Sequence, residues 1–320
     1  MNSQNPSQEH LQFIINLFTQ GQLHQALSEA TQMLERFPNS VILYNIAGAC
    51  NAGLMEFNAA ISSYKQAIKI KPDYAEAYYN MSVVLNDKGD LEAAIENYKQ
   101  ALKIKPDYAQ AYNNMGNALK EIGDLDAAIS SYKQAIKIKP DYADAHNNMG
   151  IALNHKGYLE AAIESYKQAL KLKPDYAQAY NNMGNALKEI GDLDAAISNY
   201  KKAFKIKPDY SQPYYNMGNI LKEKGDLEAA ISSYKQAIKI KPDYAESHCD
   251  LGNALLLLNQ SEQALVSYEK AISLKKDLNP AISGLGNLLL KKGEHSKGLD
   301  KLRQAEGSIL FNIKSGLSIK

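Results

Sequence analysis

Five asparagines recur at intervals of 34 residues, and they are the polar side chains whose spacing most clearly points to a binding function. An aspartate continues the row at the same interval, and the set is Asn80, Asn114, Asn148, Asn182, Asn216 and Asp250. A carboxamide donates and accepts hydrogen bonds at once, which suits the backbone of an extended peptide. Because asparagine is a mediocre helix residue, its recurrence in a helical pattern calls for an explanation. We interpret the row as a candidate peptide-binding surface.

A copied surface is the alternative explanation, because the repeated segments are near-duplicates. Residues 109–142 and 177–210 match at 31 of 34 positions, so the asparagines would descend from one duplicated residue. Against this, neighbouring positions change between the copies while asparagine stays. The two explanations remain open at the level of the sequence, and binding is the one we favour.

Motifs for catalysis and metal binding are missing from the sequence. It holds no phosphate-binding loop, no His-Glu-x-x-His, no Gly-x-Ser-x-Gly and no dinucleotide-binding glycine pattern. The six histidines are scattered, and the two cysteines, Cys50 and Cys249, are too few for a thiolate zinc site. We therefore predict no catalytic residue, no metal site and no cofactor, and we interpret the chain as non-enzymatic.

The spacing of the asparagines reflects a repeat that runs along nearly the whole chain. Seven of the ten prolines lie 34 residues apart, from Pro38 to Pro242. We number each repeat so that this proline takes position 32, which places the asparagine row at position 6. The nine repeats are 7–40, 41–74, 75–108, 109–142, 143–176, 177–210, 211–244, 245–278 and 279–312. The first and the last two are degenerate, and residues 313–320 form a tail.

Each repeat is predicted to form two helices, joined by a glycine at position 15. In repeat 109–142, Gly123 ends the first helix, Asp124 caps the second, and Pro140 stops it. Asp141 stands three residues before Asp144 and is expected to cap the helix that follows. The glycine at position 8 is predicted to let the two helices of a repeat approach closely, and stacked repeats would share one continuous core.

This pattern resembles the tetratricopeptide repeat (TPR) family over about residues 7–312. The family signature contains an aromatic residue, Leu-Gly, Tyr, Ala, a second aromatic residue and Pro. In repeat 109–142 the corresponding residues are Tyr112, Met115, Gly116, Leu119, Ala128, Tyr132 and Pro140. The resemblance implies an all-α fold: a right-handed α-solenoid, or superhelix, of about nine 34-residue helix-turn-helix repeats in one continuous domain.

The resemblance also implies where the asparagine row lies, because the first helices of TPR superhelices line a concave groove. The row is similar to the one in the TPR superhelix of O-linked N-acetylglucosamine transferase, where it lies along the groove that receives protein substrates. Position 9 adds four asparagines to the candidate groove, and position 5 adds two tyrosines. These residues are Asn117, Asn185, Asn219, Asn253, Tyr79 and Tyr215.

The function predicted from these observations is that of a non-enzymatic protein-interaction scaffold that binds an extended polypeptide in the concave groove. The alternative is a substrate-recruiting or assembly subunit of a protein-modifying enzyme, such as a glycosyltransferase, whose catalytic part lies on another chain. Self-association through the end repeats or the tail is a third hypothesis. Residues 308–319 alternate apolar and polar side chains, which predicts a short strand or hairpin that caps the last repeat.

Charge and hydropathy argue against nucleic acid, a membrane and secretion. The 36 Lys and Arg residues balance 35 Asp and Glu, and only Arg36 and Arg303 carry the guanidinium that phosphate recognition favours. The longest apolar run, residues 254–258, is far shorter than the roughly 20 residues of a membrane span. The polar N-terminus lacks a signal-peptide pattern. We therefore expect a cytoplasmic protein with reduced cysteines.

Overall fold

The chain divides into two compact bodies, residues 1–172 and residues 173–320. In this computed structural model the described residues are 6–306, 309–312 and 316–319. We call the two parts the N-terminal body and the C-terminal body. The continuity of the repeat array across the boundary between them stays a prediction.

Both bodies consist of helix pairs within their described parts. The N-terminal body contains α1 (Gln8–Thr19), α2 (Leu23–Arg36), α3 (Val41–Gly53), α4 (Phe57–Ile70), α5 (Ala75–Asp87), α6 (Leu91–Ile104), α7 (Ala109–Glu121), α8 (Leu125–Ile138), α9 (Ala143–His155) and α10 (Leu159–Leu172). The C-terminal body contains α11 (Ala177–Glu189), α12 (Leu193–Ile206), α13 (Ser211–Glu223), α14 (Leu227–Ile240), α15 (Ala245–Leu257), α16 (Ser261–Leu274), α17 (Asn279–Lys291), α18 (His295–Glu306), β1 (Ile309–Asn312) and β2 (Gly316–Ile319). Each repeat supplies one odd-numbered and one even-numbered helix, which confirms the predicted TPR α-solenoid fold of about nine repeats.

The turn between the two helices of a repeat follows the sequence prediction. Gly123 has a φ of 88°, in the left-handed region that a side chain disfavours. The next residue, Asp124, is the N-cap of α8, and its carboxylate accepts a hydrogen bond from the Ala127 amide at 3.1 Å. This bond satisfies one of the backbone donors that the first turn of a helix leaves free. The same cap is made in three further repeats, by Asp90, Asp192 and Asp226.

The start of the first helices differs from the prediction. The N-cap of α9 is Tyr142, and its side chain makes no capping hydrogen bond. Asp141, which we expected to be the cap, is exposed one residue earlier. The turn satisfies its amides through the backbone instead, because Tyr142 N donates to Lys139 O and Ala143 N donates to Asp141 O, each at 3.1 Å.

The core of seven of the nine repeats is built around the tyrosine at position 24. Its hydrophobic ring lies between the two helices of the repeat, at most 2% exposed in Tyr64, Tyr98, Tyr132, Tyr166, Tyr200, Tyr234 and Tyr268. A Cβ atom on Gly116 would lie 2.6 Å from Cε1 of Tyr132, well inside van der Waals contact. The small residue at position 8 therefore makes room for this ring.

Successive repeats are joined by the same kind of packing within each body. The second helix of one repeat contacts the first helix of the next, as α8 contacts α9 and α14 contacts α15. One apolar cluster runs from α4 to α9 in the N-terminal body, and another runs from α13 to α17 in the C-terminal body. A single helix pair leaves this apolar surface open, so each repeat depends on its neighbours for burial.

The C-terminal end carries a two-stranded antiparallel hairpin in which Ile309 is paired with Ile319. Strand β1 contacts α18. Residues 313–315 and 320 of the predicted tail lie outside the described residues. A capping role for the hairpin stays a prediction.

Replacing Met55 with glycine is expected to stabilise the turn between α3 and α4. Met55 is 74% exposed, and it stands at position 15 with a φ of 62°, where seven repeats carry glycine at φ between 76° and 88°. Since a side chain in the left-handed region costs roughly 1–2 kcal/mol, Met55→Gly should raise the local free energy of unfolding by about 1 kcal/mol. Hydrogen exchange of the α3 and α4 amides measures this change.

Asn259 provides the matched control, because it also stands at position 15 with a φ of 58°. Asparagine tolerates the left-handed region better than methionine does. Asn259→Gly should therefore give a smaller gain than Met55→Gly, and equal gains would contradict the explanation by side-chain strain.

Gly116→Ala is expected to destabilise repeat 109–142. The added methyl group would displace the Tyr132 ring and weaken the 2.8 Å hydrogen bond from its hydroxyl to Asn117. Overpacking of this kind costs about 1–3 kcal/mol, and hydrogen exchange of the α7 and α8 amides reports it. As a control, Ser130→Ala on the exposed side of α8 should change stability by less than about 0.5 kcal/mol. Unchanged exchange in Gly116→Ala would exclude the proposed packing.

Candidate functional site

The predicted groove residues lie on one face of the first helices. In α7, Met115, Gly116 and Leu119 are buried, whereas Asn114 and Asn117 on the opposite stripe are half-buried. We call the stripe formed by positions 2, 6, 9 and 13 of the first helices the first-helix face. All five asparagines at position 6 and the four predicted at position 9 are half-buried there. The N-terminal body carries Asn80, Asn114, Asn117 and Asn148, and the C-terminal body carries Asn182, Asn185, Asn216, Asn219 and Asn253.

Asparagines at position 6 hold consecutive repeats together. In three of them the side-chain amide donates to the asparagine at position 5 of the preceding repeat at 3.0–3.1 Å, in the pairs Asn80–Asn45, Asn148–Asn113 and Asn216–Asn181. Two of these acceptors are almost fully buried, with Asn113 5% and Asn181 3% exposed. Because a buried amide without a partner is costly, these bonds give the asparagine row a structural role as well.

In the N-terminal body the amides form a continuous hydrogen-bonded chain across three repeats, which we call the amide ladder. Its members, from donor to acceptor, are Asn147, Asn148, Asn113, Asn114 and Tyr79, with successive distances of 3.4, 3.1, 3.2 and 3.1 Å. The ladder fixes the orientation of the Asn113, Asn114 and Asn148 carboxamides, since the oxygen and the nitrogen of each are both bonded to partners.

Asn148 keeps part of its hydrogen-bonding capacity. Asn148 donates one of its two N–H groups to Asn113 and accepts one bond, from Asn147. A carboxamide offers two donors and two acceptor lone pairs. One N–H and one lone pair of Asn148 are therefore left for a ligand, on a half-buried side chain whose direction is already set.

The asparagines at position 9 are tied to the core tyrosines. The hydroxyl at position 24 donates to the amide oxygen at position 9 of the same repeat at 2.8 Å, in the pairs Tyr132–Asn117, Tyr200–Asn185, Tyr234–Asn219 and Tyr268–Asn253. Desolvation by burial raises the pKa of each of these phenols. The hydroxyls therefore stay protonated at neutral pH and act as donors.

Tyr79 and Tyr215, the two tyrosines predicted beside the groove, replace asparagine at position 5. The Tyr79 hydroxyl accepts from the Asn114 amide at 3.1 Å, and its ring centroid lies 4.7 Å from that of Tyr108. The Tyr215 hydroxyl donates to Oδ2 of Asp250 at 2.9 Å. Both tyrosines therefore continue the contact between repeats that asparagine makes elsewhere.

An ion pair completes the contact at Asp250 in the C-terminal body. Nζ of Lys222 lies 2.6 Å from Oδ1 of Asp250, and the two side chains are 28% and 19% exposed. Asn253 donates a longer bond of 3.4 Å to the same oxygen. Reasoning from the sequence recognised Asp250 as a member of the row but missed Lys222. The spacing could have indicated this pair, because Lys222 at position 12 lies 28 residues before Asp250 at position 6 of the next repeat.

Both cysteines are buried, and two of the histidines contact backbone carbonyl oxygens. Burial is the largest cause that raises the pKa of Cys50 to about 11 and that of Cys249 to about 12. His146 and His248 contact the carbonyl oxygens of the preceding prolines through Nε2, at 3.2 and 3.1 Å.

Among the residues that the structure describes, no group of three or more His, Cys, Asp or Glu is arranged to hold a metal ion. The described helices include none that is long and apolar enough to span a bilayer.

The comparison with protein families identifies the class of this helix-pair fold. The family model described as "TPR repeat" matches residues 56–86, 83–123, 116–157, 152–191, 184–225 and 218–259, and the model described as "Tetratricopeptide repeat" matches residues 245–278. The chain therefore belongs to the tetratricopeptide repeat family, which confirms the resemblance drawn from the sequence. The particular likeness to O-linked N-acetylglucosamine transferase stays a prediction. No curated protein matches the sequence.

Solved structures give further likenesses. MamA is 29% identical, with coverage of 52% of this chain and 96% of MamA and a TM-score of 0.49. YrrB, described as "a TPR protein with an unusual peptide-binding site", is 21% identical, with coverage of 57% and 95% and a TM-score of 0.50. A chain of the APC/C hetero-tetramer Cut9-Hcn1 is 16% identical, with coverage of 83% of this chain and 52% of that one and a TM-score of 0.61. At these identities the likeness to YrrB and Cut9-Hcn1 shows the fold alone.

The two thiols are expected to be unreactive in the native protein. With pKa values of about 11 and 12, they hold little thiolate at pH 8, whereas an unfolded cysteine has a pKa near 8.5. Ellman's reagent at pH 8 should therefore react roughly 100-fold more slowly with the native chain than with the chain in urea. The variants Cys50→Ser and Cys249→Ser separate the two signals. Equal rates in native and unfolded protein would show that the thiols are accessible.

Proposed function

We propose that this protein is a non-enzymatic interaction scaffold that binds an extended polypeptide along the first-helix face. TPR folds are generally non-catalytic interaction scaffolds, which supports the class of function. The observation that carries the proposal is a row of half-buried carboxamides in which Asn148 is held in one orientation by two hydrogen bonds and can still donate and accept. In the N-terminal body two members of the row, Asn114 and Asn148, belong to the amide ladder.

The spacing of the row suits a polypeptide in extended conformation. Packed helices lie about 8–10 Å apart, and an extended chain advances about 3.3–3.6 Å per residue. One repeat therefore corresponds to about three residues of ligand, and consecutive asparagines would meet the backbone at about every third residue. Since backbone groups are common to all sequences, such contacts give affinity with little selectivity.

Preorganisation makes these contacts favourable. Asn148 needs no rearrangement to offer its second N–H group, because its first N–H and its oxygen are already bonded to Asn113 and Asn147. Binding then costs less side-chain entropy than it would for free amides.

The partner we propose is a protein or an extended peptide, and we propose that the chain binds neither nucleic acid nor membranes. The nearly balanced charge, +1 at pH 7, provides no strong field towards an anionic polymer or surface. We place the protein in the cytoplasm, where its two cysteines stay reduced. A subunit that recruits substrates to an enzyme on another chain would use the same face. Substitution of the asparagines on that face therefore tests this alternative as well.

Removing two amides of the row tests the proposal. Linear peptides of about 12 residues, about 40 Å when extended, are selected from a random displayed library on the full chain. Asn80→Ala with Asn148→Ala should weaken the selected peptides about tenfold, since each lost hydrogen bond contributes about 0.5–1.5 kcal/mol. Fluorescence polarisation measures the affinity, and a thermal melt followed by circular dichroism checks that the variant folds.

The matched control replaces two exposed residues of α8, Ser130 and Lys133, with alanine. These changes lie on a second helix and should leave the affinity unchanged. Equal affinity of the folded Asn80→Ala, Asn148→Ala variant and this control would refute binding along the first-helix face.

A further inference from the structure

A cavity of about 160 Å³ opens on the first-helix face of the N-terminal body. It lies between the C-terminal half of α5 and the middle of α7, with the core tyrosine of repeat 75–108 at its base. The lining residues are Val83, Asn86, Asp87, Tyr98, Asn114 and Asn117. A cavity of this size has room for several groups the size of a water molecule, so it can take the end of a side chain.

The lining is rich in hydrogen-bond acceptors and carries one negative charge. Asp87 is exposed at the rim, and within the described part of the chain it forms no hydrogen bond or ion pair. The amide oxygens of Asn114 and Asn117 each accept one bond, from Asn113 and Tyr132 respectively. Each of these oxygens keeps a lone pair, and no lysine or arginine lines the cavity. The site therefore lacks a cationic donor.

In the C-terminal body the equivalent repeat positions contain a lysine. Four repeats further along the chain, Lys222 stands at the position of Asn86, and Asp250 stands at the position of Asn114. There the lysine side chain bridges the two positions, with Nζ 2.6 Å from Oδ1 of Asp250. The tyrosine at position 24 and the asparagine at position 9 of the next repeat are the same in both places. The fold thus accommodates an ammonium group beside these residues.

We infer that the cavity in the N-terminal body binds the ammonium group of a lysine side chain carried by the bound polypeptide. The inference rests on the proposed function, because the polypeptide backbone must first lie along the first-helix face. An ammonium group has three donors, which the Asp87 carboxylate and the Asn114 and Asn117 oxygens can receive. The methylene stem would pack against Val83, as lysine stems do on apolar surface.

The geometry favours lysine over arginine as the ligand. A compact ammonium group fits acceptors that converge on one point, whereas a guanidinium needs acceptors in a planar, forked arrangement. The internal example at Lys222 is also an ammonium group. Lysine therefore supplies the cation that repeat 75–108 lacks at position 12, where it has Asn86.

The test uses the selected peptides together with norleucine and arginine versions of them. For each lysine in a selected peptide, the affinity for the full chain is compared with that of the peptide carrying norleucine, which keeps the stem and removes the charge. At one position the lysine peptide should bind roughly three- to tenfold more tightly than its norleucine version, since the contact is charge-assisted but partly exposed. The arginine version should lose this advantage.

Variants of the lining assign the preference to the cavity. Asp87→Asn removes the charge, and Asn86→Lys with Asn114→Asp installs the ion pair of the C-terminal body. Both should reduce the ratio between the lysine and norleucine affinities to about one. The matched control is Glu223→Gln, which changes the counterpart of Asp87 in the C-terminal body and should leave the ratio as it is.

The outcomes separate this inference from the proposed function. Peptides that depend on Asn80 and Asn148 but show no lysine preference would overturn the inference and leave the proposed function intact. A lysine preference that survives in Asp87→Asn, or an equal preference for arginine, would also overturn it. If no peptide is selected at all, the inference and the proposed function both fail.

Discussion

The packing of the position-24 tyrosine against a small residue at position 8 is the constraint on which the rest of the structure depends. A Cβ atom at Gly116 would lie 2.6 Å from the Tyr132 ring, so the distance between α7 and α8 is set by the thickness of that ring. The tyrosine is fully buried, yet its hydroxyl must find a partner. It finds one in Asn117, on the first-helix face, at 2.8 Å. The core therefore fixes the position of a polar side chain on the surface.

A change in this arrangement produces the most distinctive feature of the N-terminal body. Repeat 75–108 has Ser82 at position 8 and Val83 at position 9, and Val83 offers no acceptor to the hydroxyl of Tyr98. Tyr98 instead lines the cavity at the first-helix face, together with the exposed Asp87. Its pKa is raised chiefly by burial, and the charge of Asp87 raises it further. Where the repeat pattern changes, the first-helix face thus gains a cavity beside Asp87.

Much of the fold could be predicted from the sequence because its causes are local or periodic. The helix ends at Gly123 and Asp124 depend on backbone conformation and on one side-chain cap, both of which are visible in a few residues. The start of α9 was predicted wrongly, because the backbone bonds of the preceding turn made the Asp141 cap unnecessary. The sequence pattern contained no information about which bonds a turn would satisfy by itself.

The candidate site was harder to predict because its contacts join different repeats. The bond from Asn148 to Asn113 spans 35 residues, and the ion pair between Lys222 and Asp250 spans 28. Such pairs become visible only when consecutive first helices are placed side by side. The row of asparagines was found from its period, but the buried amides at position 5 that orient it were missed, as was the cavity beside Tyr98.

Hydrogen bonds between repeats give the asparagine row a structural role that is independent of binding. Asparagine at position 6 donates to the preceding repeat, so its recurrence has a structural cause whether or not a ligand binds. The donor and acceptor capacity that the ladder leaves unused at Asn148 therefore favours a binding face, whereas the repetition of asparagine alone does not. It also implies a division of roles. In the proposed function the repeated amides would contact the backbone of any ligand, and selectivity would come from the repeats that depart from the pattern, where Asp87 and Asn114 line one cavity and Lys222 pairs with Asp250.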